Sequence, residues 1–319
     1  MSFNGSAARQ EAPQLVVVGA AARDVEAADA RGWRLGGGVS YGALLAGRLG
    51  VRTGVLMGLD AEARDASELE LLRAAGVTIE VVPLDNGPLF ENIETPAGLR
   101  QVCQGVSDRI DPALLPGAWR SAAAFLLAPV AGELGSEWAD VPPGGTLVGL
   151  SWQGLLRELA VGQPVVHLPV RADPLVERAD LLGVSREDLR AAGSQRLEDI
   201  VTRPGQEVAL TAGEQGALHL RRTEDGFRMR RVPAVPARRV GDLVGAGDAF
   251  LTTWLAALLP DGPFGREPQS TARALYLAAV VASLSTEGQG LGGLPDAAAT
   301  RQRLGELARL RDGAVRQAP

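Results

Sequence analysis

The segment Asp242-Leu243-Val244-Gly245-Ala246-Gly247-Asp248 sets two carboxylates around a glycine-rich turn. The turn runs straight into an apolar stretch containing Leu251, Trp254, Leu255 and Leu258. At a helix start the first amides have no intrahelical acceptors and lie at the positive end of the helix dipole, so such a turn can hold a phosphoryl group. Asp248, in the first turn, would stand beside that anion hole and accept a proton from an attacking hydroxyl. Taken alone, an Asp there also does no more than complement the dipole.

Other segments combine polar groups with tight turns. Asp24 follows an apolar run that ends at Gly19, and Gly36-Gly37-Gly38 opens a stretch that closes on Gly47-Arg48-Leu49-Gly50. Leu210-Thr211-Ala212-Gly213-Glu214-Gln215-Gly216-Ala217 reads as a hairpin turn between apolar runs. Ser185-Arg186-Glu187-Asp188 suits a Ser N-cap followed by acids in the first helical turn.

These groups need a scaffold. Strands are expected at Leu15 to Val18, Val51 to Met57, Val77 to Val82, Ala123 to Leu127, Thr146 to Leu150, Val165 to Leu168 and Glu207 to Leu210. Helical segments lie between them, including Ala43 to Leu49 and Ala61 to Ala75, which argues for a parallel sheet covered on both faces. Asp24 to Leu35 and Leu89 to Gln104 alternate polar and apolar residues, as a half-exposed antiparallel lid would. After about Pro236 the pattern is helical: Ala246 to Leu259, Ser270 to Thr286 and Pro295 to Leu310. The expected organisation is a short flexible start (1–13), one domain over 14–310 with lid strands from about 24–35 and 89–104, and a tail over 311–319.

Together these segments resemble the ribokinase-like (PfkB) carbohydrate kinases. Five of seven positions from Asp242 to Asp248 agree with that family's C-terminal signature, and the resemblance runs from Val16 to about Leu294. It implies a three-layer α/β/α sandwich with a mainly parallel sheet and a small β lid. It also implies transfer of the γ-phosphoryl of MgATP to a hydroxyl of a sugar, cyclitol or related small molecule. In that scheme Asp248 is the base and Gly245, Ala246 and Gly247 supply the anion hole. Asp24 and Gly36, Gly37 and Gly38 hold the acceptor, because an Asp accepts hydrogen bonds from adjacent hydroxyls. Tyr41 stands where ribokinase-type members carry Asn, so its ring is expected to narrow the pocket or stack on a flatter acceptor. Asn92, Arg100, Gln153 and Arg157 are the further acceptor candidates. Thr211, Gly213, Gly216, Asp242 and Gly288 fall to the nucleotide, and Ser185 and Asp188 to Mg2+ through water. Some members also bind a monovalent cation, which Leu243 and Val244, replacing the usual polar pair, would affect. These features point to a branch distinct from ribokinase.

Two rival readings share the motifs. One is a non-catalytic sensor of a nucleotide or metabolite on the same fold; the other is a Rossmann dehydrogenase, whose Gly-x-Gly-x-x-Gly spacing fails because position 41 is Tyr. Composition removes more. All 32 basic residues are Arg, so Schiff-base chemistry and the lysine of a Walker A loop are excluded. With one Cys (Cys103) and two His (His167 and His219), a Cys/His zinc site is all but excluded. A net charge of -6 with mixed signs along the chain argues against nucleic acid. No apolar stretch is long enough for a membrane span, so a cytoplasmic protein is expected, and exposed lid strands suggest a homodimer.

Overall fold

A computed structural model describes residues 12–95, 98–191 and 197–317. The first strand, β1 (Leu15–Ala20), is followed by β2 (Ala22–Val25), β3 (Trp33–Gly36) and α1 (Gly38–Leu49). Next come β4 (Thr53–Leu59), α2 (Glu68–Ala74), β5 (Thr78–Pro83), β6 (Leu89–Thr95), β7 (Gly98–Gly105), β8 (Ala124–Leu127) and β9 (Leu147–Ser151). Two-residue strands β10 (Arg157–Glu158), β11 (Gln163–Pro164) and β12 (Val166–His167) precede α3 (Pro174–Arg178), β13 (Leu181–Ser185) and α4 (Arg186–Ala191). The chain ends with β14 (Glu207–Thr211), β15 (Ala217–Thr223), β16 (Gly226–Val232), α5 (Ala246–Ala257), α6 (Thr271–Ser285) and α7 (Ala297–Gln317).

Nine strands form one sheet in the order β16-β15-β14-β13-β9-β8-β1-β4-β5, parallel except at the β14-β15 and β15-β16 pairs. Successive residues of β1 feed opposite faces. Leu15 and Val17 join α1, α5 and α6 in one core, and Val16, Val18 and Ala20 join Trp138, Trp152 and Phe125 in the other. Strands buried on both faces are what uninterrupted apolar runs predict, and the fold is the ribokinase-like α/β/α sandwich. A second sheet, β11-β7-β6-β2-β3, forms the lid.

Two expectations are corrected. Val165 to Leu168 contributes no central strand, since β12 pairs only with β10 in a separate ribbon. Leu181–Ser185, which the pattern did not single out, supplies the central strand β13 between β14 and β9. Both segments are short and apolar, so only pairing separates them. The helix opened by the glycines runs from Gly38 to Leu49, and α7 continues through Gln317, past the expected tail boundary.

Glu133 joins sheet, lid and following loop. Fully buried, it accepts hydrogen bonds from the amides of Ala20 (3.0 Å), Val130 (3.0 Å) and Ala131 (2.8 Å). Burial pushes its carboxyl above the usual range, against the pull of those amides. Val130 and Ala131 then pack beneath the lid on Ala22, Phe90 and Cys103. Glu133→Ala would leave three buried amides unpaired, so urea unfolding should show a loss of about 3 kcal/mol or more, with Glu133→Gln retaining part of it.

Candidate active site

The chemistry-bearing side chains meet at the carboxyl ends of the parallel strands, where open α/β sheets bind ligands. Ser151 ends β9, Ser185 ends β13, and β1 leads directly into the lid strand that carries Asp24. Opposite them, α1 and α5 present their N-termini. Gly245 caps α5 in a left-handed conformation (φ 78°), and a side chain there would meet the Tyr41 ring at 2.3 Å. A Cβ on Gly38 would come within 2.8 Å of Asp248 Oδ1. Glycine at both points lets the two helix starts close around one carboxylate.

Asp248 lies at the foot of this cleft, with Ser151 Oγ donating to its Oδ1 at 3.4 Å. Burial raises its carboxyl to about 6; Ser151 and Arg157 act in the opposite direction, and Asp188 adds to the rise. Asp24 is 8% exposed and is likewise raised by burial to about 6, opposed by Arg34 and Arg157. Its carboxyl folds over Gly36, where any Cβ would fall 2.2 Å from Oδ2. In the helix start itself, Ala246 N–H is turned to Leu243 O at 3.3 Å, and Ala249 N–H closes the first turn on Gly245 O at 2.8 Å.

Arg34 sits directly opposite Asp24 in the β2-β3 pair, and its Nη1 donates to Asp242 Oδ2 at 2.7 Å. Gly290 N–H donates to the same oxygen (3.1 Å) and Val244 N–H to the other (2.9 Å). Asp242, expected at the nucleotide, is therefore a brace that ties the lid to the glycine turn. Sequence reasoning passed over Arg34 because a lone Arg on a ribbon is ordinarily a solvated charge. Ser151 was passed over too, although its place at a strand end facing the base was a usable signal.

The other candidates separate into two groups. Ser185 Oγ donates to Asp188 Oδ2 at 2.6 Å and accepts from Asp188 N–H at 2.9 Å, and Gln153 Nε2 reaches both Asp188 oxygens at 3.3 and 3.4 Å. Asp188, 5% exposed, is thus held toward the cleft, and the N-cap reading of this pair holds. Arg157 belongs to the same group, since its charge acts on Asp188, Asp248 and Asp24. Asn92 shares a lid face with the buried Phe90 and accepts from Gln101 Nε2 at 3.0 Å, whereas Arg100 pairs with Ile93 on the opposite, exposed face. The strand alternation keeps Arg100 away from Asp24. Stacking on Tyr41 is also ruled out, because its ring, 2% exposed, is taken up by Gly245; what faces the site is its buried, unpartnered hydroxyl.

Of the residues expected at the nucleotide, Thr211 donates from Oγ1 to Val184 O at 3.4 Å. Gly216 and Gly288 are closed by backbone, with Val232 O at 2.1 Å and Gly293 Cα at 2.4 Å from where a Cβ would stand. Only Gly213 of these glycines has open space over it. Among the described residues no cluster of three or more His, Cys, Asp or Glu side chains is arranged to hold a metal directly.

Residues 171–297 match the profile of the pfkB family carbohydrate kinases. The match covers less than half of the chain. Among solved structures it resembles a pyrophosphate-dependent kinase in the ribokinase family, complexed with a pyrophosphate analog and myo-inositol (19% identity, TM-score 0.67, covering 92% of this chain and 99% of that one). Ribokinase from Giardia lamblia gives 16% identity and TM-score 0.67 with the same coverage. Arabidopsis thaliana ribokinase, complexed with ribose and ATP, gives 18% identity and TM-score 0.61, again covering 92% and 99%. No curated protein matches by sequence. At these identities the structures show the fold, and the pfkB profile carries the kinase class. Among the described residues, no helix is long and apolar enough to cross a membrane.

The raised carboxyls of Asp24 and Asp248 set a pH dependence. Their folded values lie above the unfolded ones, so ionisation opposes folding, and the stability they contribute is lost as pH rises through about 6. Asp248→Asn should therefore stabilise the chain by about 1–2 kcal/mol at pH 8 and not at all below pH 4. Thermal unfolding at the two pH values checks this.

Proposed function

We propose that this kinase transfers the γ-phosphoryl group of ATP, bound with Mg2+, to a hydroxyl of a sugar or cyclitol. The observation that carries the reading is the position of Asp248, a carboxyl raised to about 6 at the foot of a glycine turn that begins a helix. A base of that strength is ionised near neutral pH yet takes a proton readily. Asp24, with the backbone of Gly36 to Gly38, orients the acceptor so that one hydroxyl faces Asp248. With the Ala246 N–H turned to Leu243 O, the amides of Gly245 and Gly247 at the α5 start donate to the phosphoryl oxygens as charge develops on them. Asp188 would hold Mg2+ through water, and the ion would supply charge neutralisation along the donor phosphates.

Pyrophosphate is the second donor considered. Thr211, Gly216 and Gly288 are engaged by the protein's own backbone, and Arg186 Nη1 bridges to Gln215 Oε1 at 2.8 Å across the donor side. The pyrophosphate-dependent neighbour shares the fold at TM-score 0.67. A phosphate donor without a base would need none of those glycine contacts.

Sugars, cyclitols and nucleosides screened with each donor, reading ADP or orthophosphate release, should give turnover with at least one acceptor. Asp248→Asn should lower kcat by about 100-fold or more with acceptor KM little changed. In the wild type, kcat/KM should fall about tenfold per pH unit below about 6 as Asp248 protonates. Full activity of Asp248→Asn, or no turnover with any pair, overturns the assignment and leaves a sensor on the same fold.

A further inference from the structure

The β10-β12 ribbon places Arg157 directly opposite His167. Arg157 Nε and His167 Nδ1 are both shut off from solvent, and neither has a hydrogen-bond partner among the described residues. His167 Nδ1 lies 3.8 Å from Asp188 Oδ1, beyond hydrogen-bond reach. Among the described residues no hydrogen bond or ion pair engages the Arg157 guanidinium either, although its charge acts on Asp188, Asp248 and Asp24. Two unsatisfied polar atoms on directly opposed residues of a ribbon are an energetic cost that a ligand can remove.

We propose that Arg157 and His167 form an oxyanion subsite for the transferring phosphoryl group, which makes Arg157 a catalytic residue and not an acceptor contact. The inference rests on the kinase reading above. The carboxylates around Arg157 are already served: Ser185 and Gln153 donate to Asp188, and Ser151 donates to Asp248. Arg34, the other guanidinium facing this site, is engaged by Asp242. Arg157 is left with its planar fork of donors unused, which suits two oxygens of a phosphoryl group. His167, directly opposite it in the ribbon, lies with Nδ1 3.8 Å from Oδ1 of Asp188, the carboxylate assigned above to the donor's Mg2+, which sets the pair on the donor side.

The segment from Ser151 to Arg157 thereby serves the whole reaction. Ser151 orients the base, Gln153 orients Asp188, and the charge of Arg157 acts on both carboxylates. During transfer the acceptor oxygen forms a bond to phosphorus and its proton passes to Asp248. The bond from phosphorus to the bridging oxygen breaks, and its electron pair leaves with the departing phosphate or ADP. Arg157 and His167 stabilise the non-bridging oxygens throughout and exchange no proton.

The test combines kinetics with a direct binding measurement. Arg157→Gln should lower kcat by about 100- to 1,000-fold while acceptor KM stays within about threefold, and Arg157→Lys should recover only a small part, lacking the fork. Calorimetry with methylenediphosphonate, without acceptor, should show binding weakened at least about tenfold in Arg157→Gln and less in His167→Gln. Circular dichroism and Tm identify any variant that fails to fold, in which case Arg157→Lys and His167→Gln decide. Retention of kcat within about threefold in Arg157→Gln overturns the subsite. A loss confined to acceptor KM also overturns it and assigns Arg157 to the acceptor. If no substrate pair turns over, the kinase reading fails, yet equal methylenediphosphonate binding by wild type and Arg157→Gln still refutes the subsite.

Discussion

The close meeting of two helix N-termini is the constraint on which the rest of the site depends. Gly38 leaves room for the Asp248 carboxyl, and Gly245 leaves room for the Tyr41 ring. A methyl group at either point would separate α1 from α5 and with them the acceptor side from the anion hole. The apolar faces of both helices enter the same core as β1 and α6, so the separation would also open the core. Catalytic geometry and packing are therefore one requirement here.

Crowding of carboxylates follows from that geometry. Asp24, Asp188 and Asp248 all reach the cleft, and two of them are raised to about 6 by burial. With no lysine in the chain, arginine alone supplies counter-charge. Arg23 pairs with Asp60 at 2.7 Å and Arg34 with Asp242 at 2.7 Å, each joining a lid strand to the body. A guanidinium holds its charge under burial and fixes direction through paired donors, which suits a lid that must be positioned over its substrate. Residual ionisation cost in the cleft is the familiar exchange of stability for a reactive base.

Much of this was legible in the residues. The glycine turn before Asp248, the Gly36 to Gly38 helix start and most central strands follow from periodicity and punctuation, which act over a few neighbours. Val165 to Leu168 and Leu181–Ser185 show where that reading fails. Both are short apolar runs, yet one is half of a detached ribbon and the other is central, because strand identity depends on partners far away in sequence. Tyr41 fails for a related reason: its position on α1 was readable, but Gly245, two hundred residues on, occupies its ring.

The sequence by itself determined the kind of chemistry, since a carboxylate behind Gly-Ala-Gly at a helix start creates its own anion hole from local backbone geometry. It also determined the layered architecture, through alternating apolar strands and helices. Tertiary structure alone decided which groups are free to act. Asp242 is consumed by Arg34, Gly290 and Val244, Arg100 falls on the far face of the lid, and Arg157 Nε is left without a partner among the described residues. Hydrogen-bond satisfaction is a property of three-dimensional neighbourhoods, so no spacing along the chain could have distinguished these outcomes.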